Sequence, residues 1–192
     1  MAQIVLRIEP GNYTAKNSYD FVHSTGDLSF NNMFMCSFDI ESLYTNVPVQ
    51  EAIDIILNKL FSIVQIFNGM TRNEIQKLLQ FVLNNTFFKF DGKIFKQING
   101  LSMGSPISPL VANIFLSYLE ENFLTLCPQN FKPLFYRRYL DDTFVIFKNE
   151  HDAEQFFHFL NQQHPNITFT MEKEHNHSLS FLDVAITRCN NA

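Results

Sequence analysis

Tyr139-Leu140-Asp141-Asp142 sets two adjacent carboxylates between a basic aromatic stretch, residues 135–138, and an apolar run, residues 143–147. Asp-Asp is a turn-forming dipeptide, and β-formers on both sides predict a tight hairpin with the acids exposed at its tip. Neighbouring carboxylates repel, and a divalent cation that prefers oxygen ligands offsets that repulsion directly. The tip therefore reads as a metal site. Acidic pairs are also common in ordinary surface turns, so the assignment needs further residues. Residues 33–38 form a short apolar strand closed by Asp39 and followed by Ile40-Glu41-Ser42-Leu43-Tyr44. Between these segments lies Gly100-Leu101-Ser102-Met103-Gly104-Ser105-Pro106-Ile107-Ser108-Pro109, a Gly/Ser/Pro-rich loop running into an amphipathic helix. Asp39 and the Asp pair are distant in sequence, so only tertiary folding can bring them to one metal centre.

The segments 37–47, 100–116 and 135–147 resemble, in that order, motifs A, B and C of reverse transcriptases. Within that superfamily, Asp39-Ile40-Glu41-Ser42-Leu43-Tyr44-Thr45-Asn46-Val47-Pro48, Met103-Gly104-Ser105-Pro106 and Phe181-Leu182-Asp183-Val184 are most similar to Penelope-like retroelements. Lys16-Asn17-Ser18-Tyr19-Asp20-Phe21-Val22 shares that likeness, and the resemblance covers residues 16–188. It implies an RNA-templated DNA polymerase with two Mg²⁺ (or Mn²⁺) ions, an RNA template, a DNA primer and deoxynucleoside triphosphates. Asp39, Asp141 and Asp142, with the Ile40 backbone carbonyl, are then the metal ligands. The ions would activate a primer 3′-hydroxyl and neutralise the leaving pyrophosphate.

The same resemblance places Tyr44, five residues after Asp39, under the incoming sugar, where its bulk excludes a 2′-hydroxyl. Gly100 and Gly104 let the backbone approach template and nucleotide closely, with Ser105 in the same loop. Many reverse transcriptases carry Gln before the glycine of this loop, whereas Met103 precedes Gly104 here and Asn99 precedes Gly100. Lys173 is the candidate proton donor to pyrophosphate; a solvent-facing Lys between Glu172 and Glu174 equally suits an exposed ion pair. Asp183 falls in the part that resembles the primer grip, and also suits an ordinary strand-face acid. His175 and His177 read as a loop rather than a metal pair, with no third ligand beside them.

The elements that must position these residues follow from local pattern. Residues 16–28 read as a helix and 33–39 as a strand. A helix over 47–67 starts near Thr45, Asn46 and Pro48 and buries Ile53, Ile56, Leu57, Leu60, Val64 and Phe67. Thr71 and Glu74 form a capping box for a second helix with Ile75, Leu78, Leu79 and Val82 on one face. Asp91-Gly92 joins strands 86–90 and 93–98 in the strongest short-range hairpin signal of the chain. Ser108-Pro109 opens a helix that buries Val111, Ile114, Phe115, Tyr118 and Leu119. After the Asp-Asp hairpin, Asp152 with Gln155 caps a Phe-rich helix to about residue 163, and strands 167–172 and 179–187 end the chain. Antiparallel strands backed by helices make an α+β domain. By resemblance this is a polymerase palm-like antiparallel sheet backed by helices, with partial fingers and no thumb. Residues 1–32 would be a lead-in with residual fingers, and residues 33–192 the palm with motifs A to D and the start of E.

At 192 residues, 46% hydrophobic and 17% charged, the chain can bury a core and is globular. No apolar stretch is long enough to span a membrane, and residues 1–8, interrupted by Arg7, are too short for a secretory signal. An intracellular protein is expected; nuclear residence suits a retroelement enzyme, although no basic import cluster is evident. Cys36, Cys127 and Cys189 lack paired spacing, so reduced thiols are expected. The net charge of −5 argues against a free-standing nucleic-acid binder. Locally, Lys132, Arg137, Arg138 and Lys148 flank the Asp pair, and Lys89, Lys93 and Lys96 precede the Gly-rich loop; such clusters could hold phosphates. Most of the 22 Phe read as core, with a few available to stack near a template path. Basic finger residues upstream of residue 39, a thumb and a GIY-YIG endonuclease are not evident, which suggests a palm from a longer polyprotein or a truncated gene product. Two other classes stay open: a catalytically inactive palm remnant acting as an interaction module, and an RNA-dependent RNA polymerase, against which Tyr44 argues.

Overall fold

Short-range signals account for most elements of the computed structural model, which describes residues 8, 11–26, 28, 33–62 and 65–188. In chain order these are α1 (Ser18–Thr25), β1 (Phe34–Ile40), α2 (Leu43–Asn46), α3 (Val49–Leu60), β2 (Ile66–Phe67), β3 (Met70–Thr71), α4 (Arg72–Asn84), β4 (Phe87–Phe90), β5 (Lys93–Lys96), α5 (Ser108–Leu126), β6 (Phe135–Tyr139), β7 (Asp142–Phe147), α6 (Glu150–Leu160), β8 (Phe169–Lys173), β9 (Ser178–Phe181) and β10 (Val184–Thr187). The fold class is α+β, as the sequence implied. The chain divides into two compact units, residues 1–11 with 42–119, and residues 12–41 with 120–192. Helix α5 contributes its N-terminal part to the first and its last turns, from Glu120, to the second.

In the first unit, α3 buries Ala52, Ile53, Ile56, Leu57 and Leu60, and α4 buries Ile75, Leu79 and Leu83. The Thr71–Glu74 capping box is formed in both directions, with Thr71 N–H donating to the Glu74 carboxylate at 2.8 Å. Three expectations shift here. The helix predicted over 47–67 stops at Leu60, and Phe67 belongs instead to the short strand pair β2–β3, while Val64 lies outside the described residues. Asn68-Gly69, both at positive φ, turn the chain there, a local demand that overrides the apolar period. On α4 the buried stripe is Ile75-Leu79-Leu83, and Leu78 faces solvent. Tyr118 of α5, expected inside, is likewise exposed.

The second unit holds a four-stranded antiparallel sheet in the order β6-β7-β1-β8. Residues opposite one another share a face. Met35, Phe144 and Ile146 therefore lie on one face, where they pack with Ala15, with Phe21 of α1 and with Leu179 and Phe181 of β9. Phe21 meets Phe144 edge-on at 5.2 Å and Phe181 at 4.7 Å. Phe38 and Phe147 point to the opposite face, where Phe156 of α6 sits 5.9 Å and 5.3 Å from their rings. The free edge of β6 is covered by residues 13–15, through Arg138 N–H to Tyr13 O and Ala15 N–H to Arg138 O.

Other boundaries move for identifiable reasons. Helix α1 is shorter than residues 16–28 because Asn17 caps it, accepting from Asp20 N–H. Helix α6 is capped by Asn149, which accepts from Asp152 N–H, rather than by Asp152 itself. The strand read over 179–187 is a hairpin: Leu182 and Asp183, both at positive φ, form its turn, so Asp183 is a turn residue and not a strand-face acid. His175 to His177 is a loop, as expected, with Asn176 and His177 at positive φ. Cys36 and Cys127 are buried free thiols; Cys189 lies outside the described residues. Among the described residues no helix is long and apolar enough to cross a membrane.

Candidate active site

Register alone fixes where two of the acids stand. Strand β1 pairs with β7 as far as Phe38 opposite Thr143, and one further step sets Asp39 against Asp142. Side chains alternate along a strand, so Asp39 and Asp142 share the face that carries Met35, Phe144 and Ile146. Asp141 occupies the two-residue turn between β6 and β7, and Asp142 is the first residue of β7. The turn tip is thus Leu140-Asp141 rather than the Asp pair. Asp39 and Asp142 are exposed and Asp141 is half-buried, a rim position open to solvent and ligand.

The electrostatics of Asp39 and Asp142 register the neighbouring carboxylates. Partial burial raises the Asp39 pKa, the Asp141 charge raises it further, and a hydrogen bond from the Ile40 amide pulls it back. Asp142 is raised by burial, then by Asp141 and Asp39. Mutual repulsion of carboxylates is the condition a bound cation relieves. Among the described residues, no three acidic, histidine or cysteine side chains are gathered tightly enough to enclose an ion by themselves. An oxygen-only, solvent-open donor set of this kind suits a hard divalent cation held by one or two carboxylates, its shell completed by water and phosphate oxygens.

A buried network that the sequence reading missed fixes the turn. Arg138, expected to hold phosphate, is only 1% exposed and forms a two-pronged ion pair with Glu120 of α5, Nε to Oε1 at 2.6 Å and Nη2 to Oε2 at 3.0 Å. Tyr136 donates its hydroxyl to the same Glu120 Oε1 at 3.0 Å. The remaining guanidinium nitrogen, Nη1, donates to the carbonyl of Leu140 at 2.8 Å. Leu140 sits at φ 54°, a left-handed conformation that costs a residue with a Cβ about 1–2 kcal/mol. Arg138 therefore anchors the strained residue immediately before Asp141. One signal for this pairing was available: Glu120 continues the buried i, i+4 row Ala112-Leu116 on α5, and an acid in an apolar row needs a partner. Arg137 also has a structural partner, donating to Asn12 O at 2.9 Å.

Lys173 is not brought to the carboxylates. It pairs with Cys36, and so projects to the sheet face opposite that of Asp39. There its ammonium contacts Glu150 and Glu154 of α6 at 2.7 Å each, and those bonds raise its pKa to about 12. The ion-pair reading of this lysine holds, with α6 rather than Glu172 and Glu174 supplying the partners.

The remaining candidates belong to the first unit. Tyr44 lies in α2, entered through Ser42 at φ 48°. Its carbonyl accepts from Leu101 N–H at 2.6 Å, tying the segment after β1 to the Gly-rich loop. Gly100, at φ +70°, makes this possible: a Cβ there would sit 2.5 Å from Tyr44 O and from Thr45 Cα and O. The close approach that Gly100 permits is thus to its own chain. Gly104, at φ +89°, has open space around it, so a ligand can come up to its backbone. Ser105 accepts through its carbonyl from Ser108 N–H at 3.2 Å at the entry to α5.

Comparison with curated proteins found no match. Among solved structures, the apo telomerase of Candida tropicalis truncated from its C-terminal domain superposes with a TM-score of 0.65 at 12% identity, covering 97% of this chain and 38% of that one. The telomerase of Candida albicans, solved with a TWJ fragment of telomeric RNA, gives 0.74 at 9% identity, covering 98% and 36%. A chain from the RNA polymerase complex inside a dsRNA virus gives 0.62 at 13% identity, covering 97% and 19%. At these identities the likeness is one of fold, that of the polymerase palm, and the chain spans little more than a third of the telomerases' length. The sequence matches the family described as reverse transcriptase (RNA-dependent DNA polymerase) over residues 2–180, nearly its whole length, and the chain belongs to that family.

Proposed function

We propose that this chain is the catalytic palm of an RNA-templated DNA polymerase of Penelope-like type, which extends a primer 3′-hydroxyl with deoxynucleotides. The observation that carries the reading is the register that sets Asp39 against Asp142 with Asp141 in the adjoining turn. Asp39, Asp141 and Asp142, with the Ile40 carbonyl, would hold two Mg²⁺ ions. When bound, these supply Lewis-acid activation of the attacking hydroxyl and neutralise charge on the leaving pyrophosphate. The carboxylates' own task is to present negative charge at the sheet rim to a cation, which would relieve the repulsion that, with partial burial, raises the pKa values of Asp39 and Asp142. Arg138 orients the turn without touching a reacting atom. Tyr44 would stand beneath the sugar and reject a 2′-hydroxyl, while Gly104 and Ser105 would offer backbone to the template or nucleotide. An RNA partner is supported by family membership and by the RNA-bound telomerase of similar fold. The subtype rests on the residue likeness of 39–48, 103–106 and 181–184.

Primer extension on an RNA template with Mg²⁺ or Mn²⁺ tests the reading, comparing wild type with Asp141→Asn. Extension by deoxynucleotides that the substitution abolishes is the expected result. No extension by the wild type would favour a binding module, and extension by ribonucleotides alone would move the assignment to an RNA polymerase.

A further inference from the structure

The β4–β5 hairpin of the first unit leaves every one of its eight strand residues exposed. Two-stranded hairpins ordinarily need an apolar face covered to be stable, yet Phe90 is 70% and Ile94 75% exposed. Register sorts the side chains. Phe88 opposite Phe95 and Phe90 opposite Lys93 share one face, and Phe87 opposite Lys96 and Lys89 opposite Ile94 share the other. On the first face the Phe88 and Phe95 rings already stack, 5.6 Å apart and 20° from parallel. Phe88 also lines an open groove of about 630 Å³ whose far walls include Ile98, Met103 and Asn99. Between residues 86 and 98 three lysines stand against the single Asp91, in a chain whose net charge is −5.

We propose that this hairpin face and the groove beside it form a binding surface for the single-stranded RNA template, with bases stacked on Phe88, Phe90 and Phe95 and phosphates met by Lys93 on that face and by Lys96, which lines the groove. The RNA assignment rests on the function proposed above; the surface itself does not. Exposed aromatic faces interleaved with cations are the combination that binds single strands without sequence preference. Lysine, by contrast, is depleted from the cores of protein–protein interfaces. An aliphatic face would serve a protein partner as well, but only rings stack on bases, and three of the exposed apolar residues on this strand pair face are Phe.

Fluorescence anisotropy of the whole chain with a labelled oligo(rU), and with its oligo(dT) counterpart, tests the proposal in EDTA, where catalysis plays no part. Phe90→Ala is expected to weaken oligo(rU) binding about tenfold, Phe90→Tyr to restore it, and Phe90→Leu to fail to restore it. Lys93→Ala is expected to flatten the dependence of log affinity on log salt by about 0.7. Phe90 is largely exposed, and an unchanged melting temperature verifies that its variants fold. Unchanged affinity in Phe90→Ala, or rescue by Leu equal to that by Tyr, would overturn the surface. Tighter binding of oligo(dT) than of oligo(rU) would overturn the RNA assignment. A wild type that binds through Phe90 yet never extends a primer would sink the catalytic reading and leave the single-strand-binding surface standing.

Discussion

Glu120→Leu is the perturbation that probes the architecture of the Leu140-Asp141 turn most directly. Glu120 and Arg138 are 2% and 1% exposed, and their carboxylate and guanidinium meet through contacts at 2.6 and 3.0 Å. Removing the acid leaves the guanidinium buried with its charge unbalanced and the Tyr136 hydroxyl without its acceptor. Deleting one partner of a buried pair costs about 3–5 kcal/mol, and the lost hydroxyl partner adds about 1 kcal/mol. Against a total stability of about 5–15 kcal/mol, that is a large share. Replacing both charges, as in Glu120→Leu with Arg138→Met, removes the uncompensated charge and is expected to recover much of the loss. The double variant still lacks the guanidinium that holds the Leu140 carbonyl, so primer extension should stay depressed while stability returns. Urea unfolding followed by circular dichroism, read together with extension rates, separates the two effects. If Glu120→Leu costs under about 1 kcal/mol, or the double variant is less stable than the single, then the pair does not support the turn as argued.

Three further outcomes follow from the geometry. Because the folded-state pKa values of Asp39 and Asp142 are raised, the folded protein binds their protons more tightly than the unfolded chain. Their contribution to stability is complete below the ordinary carboxylate pKa and is lost as pH rises through the raised values. Asp39→Asn should therefore melt higher than wild type at pH 7 while losing extension, with the melting difference shrinking toward pH 3. Gly100→Ala forces a Cβ to within 2.5 Å of backbone at positive φ and should cost at least about 2 kcal/mol in urea unfolding, whereas Gly104→Ala, with open space, should cost about 1 kcal/mol. Tyr44→Ala should allow ribonucleotide incorporation in the extension assay, and continued rejection of ribonucleotides would remove Tyr44 from the sugar site.

What the sequence determined by itself was whatever depends on neighbours a few residues apart. Asp91-Gly92 turns a hairpin because its residues tolerate positive φ, Thr71 and Glu74 cap α4 across one turn, and Ser108-Pro109 opens α5. The motif likeness singled out Asp39, Asp141 and Asp142, and strand register sets Asp39 and Asp142 on one face. Where neighbours offered competing signals, the reading slipped: Asn149 outcompeted Asp152 as a cap, and Asn68-Gly69 and Leu182-Asp183 broke elements that the apolar pattern ran through. Only the tertiary structure decided partners remote in the chain. A basic residue beside two acids looks like a phosphate ligand until Glu120 is found against it, and a glycine looks reserved for a ligand until Tyr44 and Thr45 fill the space. Lys173 is one step of alternation away from the face of Asp39, and strand pairing, not composition, chose its side. The physical reason is the same in each case. Turn and cap energies are local, whereas burial, ion pairing and sheet register depend on which distant segment the fold brings alongside.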